Sequence, residues 1–307
     1  MRKLLIVILA LSALLILPAS CASTPQPLPQ KTGGGGEASW AFGFDNLADL
    51  AIYSDVIVVG VVDRVVDTVP MTEGRHTDYM TKWAFRVEKA LKGKKAGELI
   101  INQSGSPDQP GSDISDDPLF LTKERYLLFL RETIQGTYFS FGPWGRYMIW
   151  NNKVYSMNHI LQRGYQAPLE LNFYGVELDD MAGKIIEIVD SVQLKFTQGE
   201  PRLLADVIRY SAGITLDIDV TLSTGKHGPG KVTLKVDKAA FPVGLDASIS
   251  PAEFAASQRS EYKSTLIIVT SPELPPGSYR IPVEYDFVGV GKGRRTITYN
   301  VNPTEMP

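Results

Sequence analysis

Short β-strand patterns recur through the second half of the chain, and they constrain the fold more than any other feature of the sequence. Seven runs rich in β-branched and aromatic residues are separated by turn residues, with no long helical pattern between them. The runs cover residues 192–197, 215–224, 231–236, 243–249, 264–270, 278–285 and 295–301. Seven short strands at this spacing predict two sheets packed face to face, which is a β-sandwich.

The first half also consists mainly of strand patterns, with a short helix before them. Asp45 is a candidate N-cap, and the apolar residues after it predict a helix that leads into a buried strand over residues 55–62. In residues 79–91 apolar side chains such as Trp83 recur at every second position. This alternation predicts a strand with one buried face and one solvated face.

A hairpin and a longer helix follow these strands. Asn151 and Asn152 tolerate the positive φ of a two-residue turn, so residues 146–150 and 153–157 are predicted to pair as a hairpin. Apolar residues three or four apart predict a helix over residues 178–191. Its apolar face should cover an open end or face of a small barrel. The chain as a whole is therefore predicted to be mainly β.

The amino terminus has the order of a secretory lipoprotein signal. Two basic residues precede an apolar run over residues 4–17, and small residues then lead to Cys21, the single cysteine of the chain. This order resembles a bacterial lipobox, with Pro18 in place of the favoured leucine. A bilayer-spanning helix needs about 20 apolar residues, more than this run provides. Lipidation of Cys21 is expected, with secretion after cleavage and an uncleaved anchor as alternatives.

Four parts of the chain follow from these patterns. They are a lipoprotein signal peptide at residues 1–20, a lipid anchor with a Pro/Gly-rich tether at residues 21–39, a barrel domain at residues 40–192 and a sandwich domain at residues 193–307. The protein is expected to be exported and lipid-anchored on the outer side of the cytoplasmic membrane or in the outer cell envelope.

The barrel domain resembles a known class of proteins. The segments SDVIVVGVV, VEKALKG, KERYLLFL and GRYMIWNNKVY look like a widespread class of uncharacterised exported bacterial domains. These domains are similar to netrin-like, OB-type barrels, which also include the tissue inhibitors of metalloproteinases. The resemblance implies a small OB/netrin-like barrel with flanking helices. Those inhibitors chelate zinc through a disulfide-tethered cysteine, a property not expected here because Cys21 is predicted to carry lipid at the end of a tether.

The sandwich domain resembles a second class. The segments KVTLKV, FPVGLDASISPAEF, STLIIVTSPELPPGSYRIPVEY and RTITYNV are similar to the bacterial immunoglobulin-like modules of exported proteins and glycosidases. This resemblance implies a seven-stranded immunoglobulin-like β-sandwich and says little about a ligand.

The charge of the chain argues against a nucleic acid partner. Loss of the signal peptide would lower the number of basic residues from 31 to 29, against 34 acidic residues. A weakly acidic protein lacks the positive surface that binds phosphate backbones.

An acidic loop is the one candidate metal site. Asp113, Ser115, Asp117 and Glu124 match positions one, three, five and twelve of a calcium-binding loop. Position six requires glycine for a sharp turn, but Pro118 occupies it. A solvated acidic loop is therefore the favoured interpretation, and no metal or other cofactor is expected.

A group of aromatic residues is the candidate contact surface. Trp144, Tyr147 and Trp150 can form a platform for a glycan or for the apolar side chains of a partner, and Trp144 is expected to be exposed in the loop tip Gly142–Gly145. Packing of these rings in a core is the favoured alternative.

No catalytic motif is recognisable elsewhere. His76, His159 and His227 are far apart in the sequence, and none has a partner residue at a short spacing. The favoured hypothesis is a lipid-anchored binding or structural module of the cell envelope, with an envelope protein or glycan as partner. The alternative is an envelope enzyme or enzyme inhibitor with a site on the barrel loops.

Overall fold

The computed structural model describes residue 44 and residues 46–73, 76–93, 96–109, 111–112, 117–157, 171–198, 203–204 and 207–302. Within these ranges the chain is mainly β, as predicted, with three sheets and two flanking helices. No helix in these ranges combines the length and the apolar composition needed to cross a bilayer. Cys21, Asp113 and Ser115 lie outside the described residues, as do the predicted signal peptide and tether.

The first half folds into one eight-stranded sheet. Its strands are β1 (Val56–Glu73), β2 (His76–Lys92), β3 (Glu98–Ser104), β4 (Arg125–Glu132), β5 (Tyr138–Ser140), β6 (Arg146–Trp150), β7 (Lys153–Ser156) and β8 (Tyr174–Glu177). The sheet curls until β1 also pairs with β4, which closes a five-stranded ring in the order β1-β2-β3-β5-β4. Within the ring, β3 and β5 are parallel and the other neighbours are antiparallel. A five-stranded ring is the barrel that the sequence predicts.

The predicted hairpin lies beside this ring. Asn151 and Asn152 have φ values of 49° and 60°, as a two-residue hairpin turn requires. Trp150 pairs with Lys153 across the turn, so the prediction is confirmed.

The first two strands are longer than the sequence suggested. Beyond the ring, β1 and β2 pair only with each other as far as Glu73 and His76. Register shifts interrupt the alternation of β1 at Val62/Arg64 and Val65/Asp67. The sequence of β1 therefore lacks a continuous period of two in side-chain polarity there.

Two α-helices in the described residues cover one face of the sheet. They are α1 (Leu47–Tyr53) and α2 (Leu178–Asp190), close to the predicted positions. The N-cap of α1 is Asn46 rather than Asp45, and its side-chain oxygen accepts a hydrogen bond from the Asp49 N–H at 2.8 Å. Both helices contribute to one core cluster with alternate residues of β1, β4 and β6, including Ile57, Leu127 and Phe129.

The second half folds into two five-stranded sheets. Its strands are β9 (Gln193–Gln198), β10 (Leu203–Leu204), β11 (Val207–Tyr210), β12 (Thr215–Ser223), β13 (Gly230–Val236), β14 (Leu245–Ser250), β15 (Glu253–Ala256), β16 (Glu261–Thr270), β17 (Gly277–Phe287) and β18 (Gly291–Val301). The sheet orders are β10-β9-β12-β16-β14 and β11-β18-β17-β13-β15. Side chains from both sheets form a single apolar cluster, as a sandwich requires.

All seven predicted strands of this half are present, and three more are added. The additional strands β10, β11 and β15 have two or four residues each, too few for a pattern of alternation to be recognised. The two halves have separate core clusters. The domain boundary at residue 192 stays a prediction, because residues 32–307 form one compact unit.

Polar contacts join the helix α1 to the second half. Two cations lie near the ring of Tyr53, with the Lys195 Nζ 5.9 Å and the Arg295 Cζ 5.2 Å from its centroid. Arg295 also forms an ion pair with Asp49 at 2.9 Å. The Phe196 N–H approaches the Tyr53 hydroxyl at 3.4 Å. These contacts position the walls of the cleft that lies next to them.

Candidate ligand-binding cleft

A cleft of about 800 Å³ lies where the barrel meets the sheet that contains β9, β12 and β16. The barrel side comprises the end of α1 and the adjacent ends of β1, β2, β4 and β5. The lining residues are Ile52, Ser54, Asp55, Lys92, Arg131, Glu132, Thr133, Ile134, Phe139, Gln193, Lys195, Thr221, Ser223 and Glu261. Pockets at such junctions are common ligand sites, because two independently shaped surfaces meet there.

Charges of both signs line the cleft in equal number. The cationic residues are Lys92, Arg131 and Lys195, and the acidic residues are Asp55, Glu132 and Glu261.

Asp55 stands at the centre of the hydrogen bonding in the cleft. One Asp55 oxygen lies 3.2 Å from the Lys195 Nζ, and the other accepts a hydrogen bond from the Glu132 N–H at 3.0 Å. The Glu132 carboxylate in turn accepts a hydrogen bond from the Tyr138 hydroxyl at 2.9 Å. Two of the three carboxylates are thus fixed in position, so the cleft presents an ordered polar floor.

Lys92 closes the carboxyl-terminal end of α1. Its Nζ donates hydrogen bonds to the Ala51 and Ile52 carbonyl oxygens at 2.8 and 3.0 Å. The preceding carbonyl, that of Leu50, accepts from the N–H and the hydroxyl of Ser54. The last carbonyls of a helix have no partner within the helix, and a cation is favoured there by the helix dipole. The contact between the end of β2 and the end of α1 therefore places an amine at the edge of the cleft.

The surroundings of Lys92 make it unusually easy to deprotonate. The pKa of Lys92 is lowered from 10.5 to about 8. Burial of the ammonium is the main cause, and the positive charge of Lys195 is the second. The Glu261 and Asp55 carboxylates act in the opposite direction but do not outweigh burial. An amine that titrates near neutral pH in a cleft is a candidate functional group.

Three of the residues that line the cleft are apolar. Ile134 is 96% exposed in the turn after β4, and Phe139 and Ile52 lie on the same lining surface. An isoleucine so exposed makes almost no contact with the rest of the protein, so its side chain is able to contact a ligand. The cleft can therefore make ionic, hydrogen-bonding and apolar contacts together.

The structure corrects the predicted aromatic surface. Trp144 is 9% exposed and Tyr147 is fully buried, and both belong to the core cluster under the helices. Residues Gly142–Gly145 form a buried 3₁₀ turn instead of a loop tip. Gly145 allows this packing, because a Cβ at that position would lie 2.9 Å from the Phe129 carbonyl oxygen. The expectation that Trp144 is exposed was wrong.

Trp150 is the one member of the predicted platform that reaches the surface. Its ring centroid lies 6.3 Å from that of Tyr155, and Tyr155 packs edge-on against Tyr174 at 5.3 Å. Tyr174 is 67% exposed on the edge strand β8 and was not singled out in the sequence.

Two of the four predicted calcium ligands, Asp117 and Glu124, lie within the described residues. Asp117 is buried and forms an ion pair with the fully buried Arg146 at 2.6 Å. The Arg146 guanidinium also lies 4.7 Å from the centroid of the Phe120 ring. A carboxylate committed to a buried arginine is not available to a cation, so the match of Asp117 to a calcium position was misleading. Glu124 lies in the turn before β4.

The histidines provide no site in the described part of the chain. His159 lies outside it, His227 is half-buried in a turn of the second half, and only the backbone of His76 is described. Among the described residues, no group of three or more His, Cys, Asp and Glu side chains is close enough to hold a metal ion.

Sequence reasoning missed the cleft because its walls are distant in the chain. Lys92 and Glu261 are brought together only by the packing of the barrel on the second half. A local signal did exist for Lys92, since the segment LKG at the end of a strand places a cation before a turn glycine. That signal does not reveal that a helix end lies above the amine.

Comparisons with known proteins show no family for this chain. No protein-family model matches it, and no curated protein matches it. Among solved structures, a family 123 glycoside hydrolase from Clostridium perfringens is 12% identical over 38% of this chain, with a TM-score of 0.25. The chain spans 28% of the length of that hydrolase.

Two other solved structures are similar to this chain to about the same extent. The BIgI domain of the beta protein from S. agalactiae, solved bound to CEACAM1, is 11% identical over 38% of this chain and all of its own length, with a TM-score of 0.24. The E. coli chaperone DraB is 15% identical over 38% of this chain and 57% of its own, with a TM-score of 0.27. Likenesses this low carry no argument about fold or function.

Proposed function

We propose that this chain is a lipid-anchored, extracytoplasmic binding module of the bacterial cell envelope, and that the cleft between its two halves is the ligand-binding site. The observation that supports the proposal is the lining of the cleft, which combines three cations, three carboxylates and the exposed Ile134. The basic amino terminus, the apolar run and Cys21 support export and lipidation.

The lining of the cleft favours a polypeptide segment of an envelope protein as ligand. A peptide offers hydrogen-bond donors and acceptors, charges of both signs and apolar side chains within one short stretch. Phe139 is the one aromatic residue among the described residues that line the cleft, whereas a glycan site usually stacks sugars on several rings. The cleft therefore fits a peptide better than a glycan.

Photocrosslinking in cells tests this proposal. A photoreactive amino acid replaces Ile134 in the full-length protein, and a control variant carries it at Val243, which is 97% exposed in the second half and does not line the cleft. We expect one envelope protein to be captured from position 134. Charge reversal in the cleft, Glu261→Lys, should abolish this capture, whereas Glu273→Lys outside the cleft should not. Equal capture from both positions, or none from position 134, would contradict the proposal.

The anchor is tested separately. Cys21→Ser should leave an unprocessed precursor and remove all labelling by radioactive fatty acid, because serine offers no thiol for acylation. Fatty-acid labelling that persists in this variant would rule out Cys21 as the lipidated residue.

A second candidate contact involves a glycan at the edge of the barrel sheet. It is favoured by the exposed ring of Tyr174, which packs on Tyr155 beside Trp150. Replacement of Tyr174 by alanine should lower retention of the protein on isolated cell-wall glycan, and unchanged retention would remove this candidate.

A further inference from the structure

Glu261 is a charged residue of the cleft whose side chain has no hydrogen-bond partner among the described residues. It is exposed at the start of β16, and within the described part of the chain its carboxylate forms no ion pair. The Asp55 carboxylate, in contrast, accepts hydrogen bonds from the Lys195 Nζ and from the Glu132 N–H. An exposed carboxylate that lines a cleft in this state can pair with a cation of the ligand.

The register of the strands places Glu261 in a row of polar side chains. Ser223 on β12 pairs with Gln193 on β9 on one side and with Glu261 on β16 on the other. Residues directly opposite each other on antiparallel strands project from the same face of the sheet, with Cβ atoms about 4.5–5.5 Å apart. All three residues line the cleft. An amide, a hydroxyl and a carboxylate therefore lie side by side on its wall.

This row offers hydrogen-bond acceptors to a ligand. The side-chain NH₂ of Gln193 donates to the Ile188 carbonyl oxygen, and no described group donates to its amide oxygen. The Ser223 hydroxyl has no side-chain hydrogen bond to any described residue, and an ionised carboxylate only accepts. An ammonium group carries three N–H donors and a guanidinium five, whereas a ligand carboxylate carries none. A cation with several N–H donors is therefore the group that complements the row.

The cations that line the cleft leave the charge of Glu261 available. Lys195 pairs with Asp55 at 3.2 Å, and the Lys92 Nζ donates to two carbonyl oxygens at the end of α1. Arg131 is buried. The Glu261 charge acts on Lys92, since it opposes the lowering of the Lys92 pKa, but the two side chains form no ion pair. A cationic ligand group can therefore neutralise Glu261 without breaking a contact of Lys195 or Lys92.

We propose that the row of Gln193, Ser223 and Glu261 is a subsite for a lysine or arginine side chain of the bound polypeptide, and that Glu261 sets this preference. The inference deepens the proposed function and rests on it, because it requires that the cleft binds a peptide. The exposed Ile134 in the same lining suits an apolar residue of that peptide. The recognised segment is thus both basic and apolar.

Crosslinking with defined peptide pools tests the inference. The full-length protein in detergent micelles carries a photoreactive amino acid in place of Ile134 and is irradiated with biotin-tagged heptapeptides that are capped at both ends. The central residue of each pool is lysine, arginine, norleucine or glutamate, and its neighbours are uncharged. Norleucine reproduces the carbon chain of lysine without the ammonium group. We expect the lysine and arginine pools to be captured about tenfold more than the norleucine pool, because hydrogen bonds between charged groups are stronger than neutral ones.

Three variants assign the preference to Glu261. Glu261→Gln removes the charge at an exposed position and should lower capture of the lysine pool to the level of the norleucine pool. Glu261→Lys should reverse the preference, so that the glutamate pool is captured most. The matched control, Glu273→Gln, removes an exposed glutamate outside the cleft and should change nothing. Substitutions at exposed positions such as these have little effect on stability, so all three variants should fold.

The failures of this inference and of the proposed function give different results. Equal capture of the lysine, norleucine and glutamate pools from position 134 would overturn the inference and leave the peptide-binding cleft intact. A preference for lysine that persists in Glu261→Gln, or that is equally strong from a photoreactive group at Val243, would also overturn it. Capture of no pool from position 134 would contradict the proposed function itself, and the inference with it.

Discussion

The two halves of this molecule fill their interiors differently. The second half has a core cluster of apolar side chains from both sheets, and three of its buried hydroxyls, those of Thr224, Ser264 and Thr270, donate hydrogen bonds to backbone carbonyls. The barrel half instead buries the Arg146–Asp117 ion pair. Among the described residues, every buried side-chain atom without a hydrogen-bond partner belongs to a barrel residue, namely Trp83, Asn102, Arg146 and Tyr147.

This difference indicates that the second half is the scaffold and that the barrel half buries polar groups at a cost in stability. Buried polar atoms without partners lower the free energy of unfolding, so a core that contains them is less stable than an apolar core of equal size. Burial raises the pKa of Tyr147 for the same reason that it lowers that of Lys92, since each charged form is excluded from a dry environment. In the second half burial also raises the pKa of Tyr299, but there the hydroxyl donates a hydrogen bond to the Ser211 carbonyl oxygen.

The largest expected effect concerns the buried ion pair. Asp117→Ala leaves the guanidinium of Arg146 buried without its carboxylate, and we expect the free energy of unfolding to fall by about 3–5 kcal/mol. Denaturant unfolding followed by fluorescence measures this loss. The matched control, Lys231→Ala, removes an ion pair on the surface of the second half and should change nothing measurable.

The double variant Asp117→Leu/Arg146→Met sharpens the same comparison. It removes both charges and replaces them with apolar side chains, so it should be at least as stable as the wild-type protein. A double variant as unstable as Asp117→Ala would mean that the pair is needed for packing, and the proposed contrast between the halves would be incorrect.

A cavity in the apolar core of the second half should have a smaller or equal effect. Leu266 is fully buried on β16, and Leu266→Ala should lower the free energy of unfolding by about 2–5 kcal/mol. Calorimetry checks the value and shows whether both halves unfold in one transition. A loss below about 1 kcal/mol would mean that this core is loosely packed.

The pH dependence of stability provides a test at Lys92. Because the folded-state pKa of Lys92 is lowered to about 8, the unfolded chain binds more protons than the folded chain between about pH 8 and 10.5. The free energy of unfolding of the wild-type protein should therefore rise relative to that of Lys92→Arg, by about 2 kcal/mol between pH 7 and pH 9.5. A difference between the two proteins that stays constant over this range would contradict the shift.

The contact between the halves should have the smallest of these effects. Arg295→Met removes the ion pair with Asp49 and the cation above the Tyr53 ring. We expect a loss of about 1–2 kcal/mol, because both groups are only partly exposed. The loss should shrink as salt is added, and an effect independent of ionic strength would mean that packing of the arginine side chain, not its charge, joins the halves.

Much of the fold was predictable from local patterns. The alternation in residues 264–270 and the pair Asn151–Asn152 identify their elements from a few neighbouring residues, because a strand or a turn imposes its own periodicity or φ. β10, β11 and β15 were missed because strands of two to four residues owe their existence to their pairing partners.

The candidate site was not predictable in the same way. Trp144 was placed on the surface because Gly-Pro-Trp-Gly is typical of a loop tip, but close packing against Phe129 buries that turn. Asp117 matched a calcium pattern, yet the partner that determines its role, Arg146, lies on another strand. Lys92 acquires its properties from α1 and from Lys195, and neither is visible in the residues next to it.

The most direct test of this account is the titration of the Lys92 amine itself. Lysine labelled with ¹³C at the ε carbon gives one NMR signal for each side chain, and the Lys92→Arg variant assigns the signal of position 92 by its absence. We expect this signal to titrate with a pKa of about 8, because the amine is buried at the end of α1 beside Lys195. A pKa near the ordinary lysine value of about 10.4 would show that the amine is solvated, and would contradict the account of a polar cleft in which the Lys92 amine is buried against the end of α1.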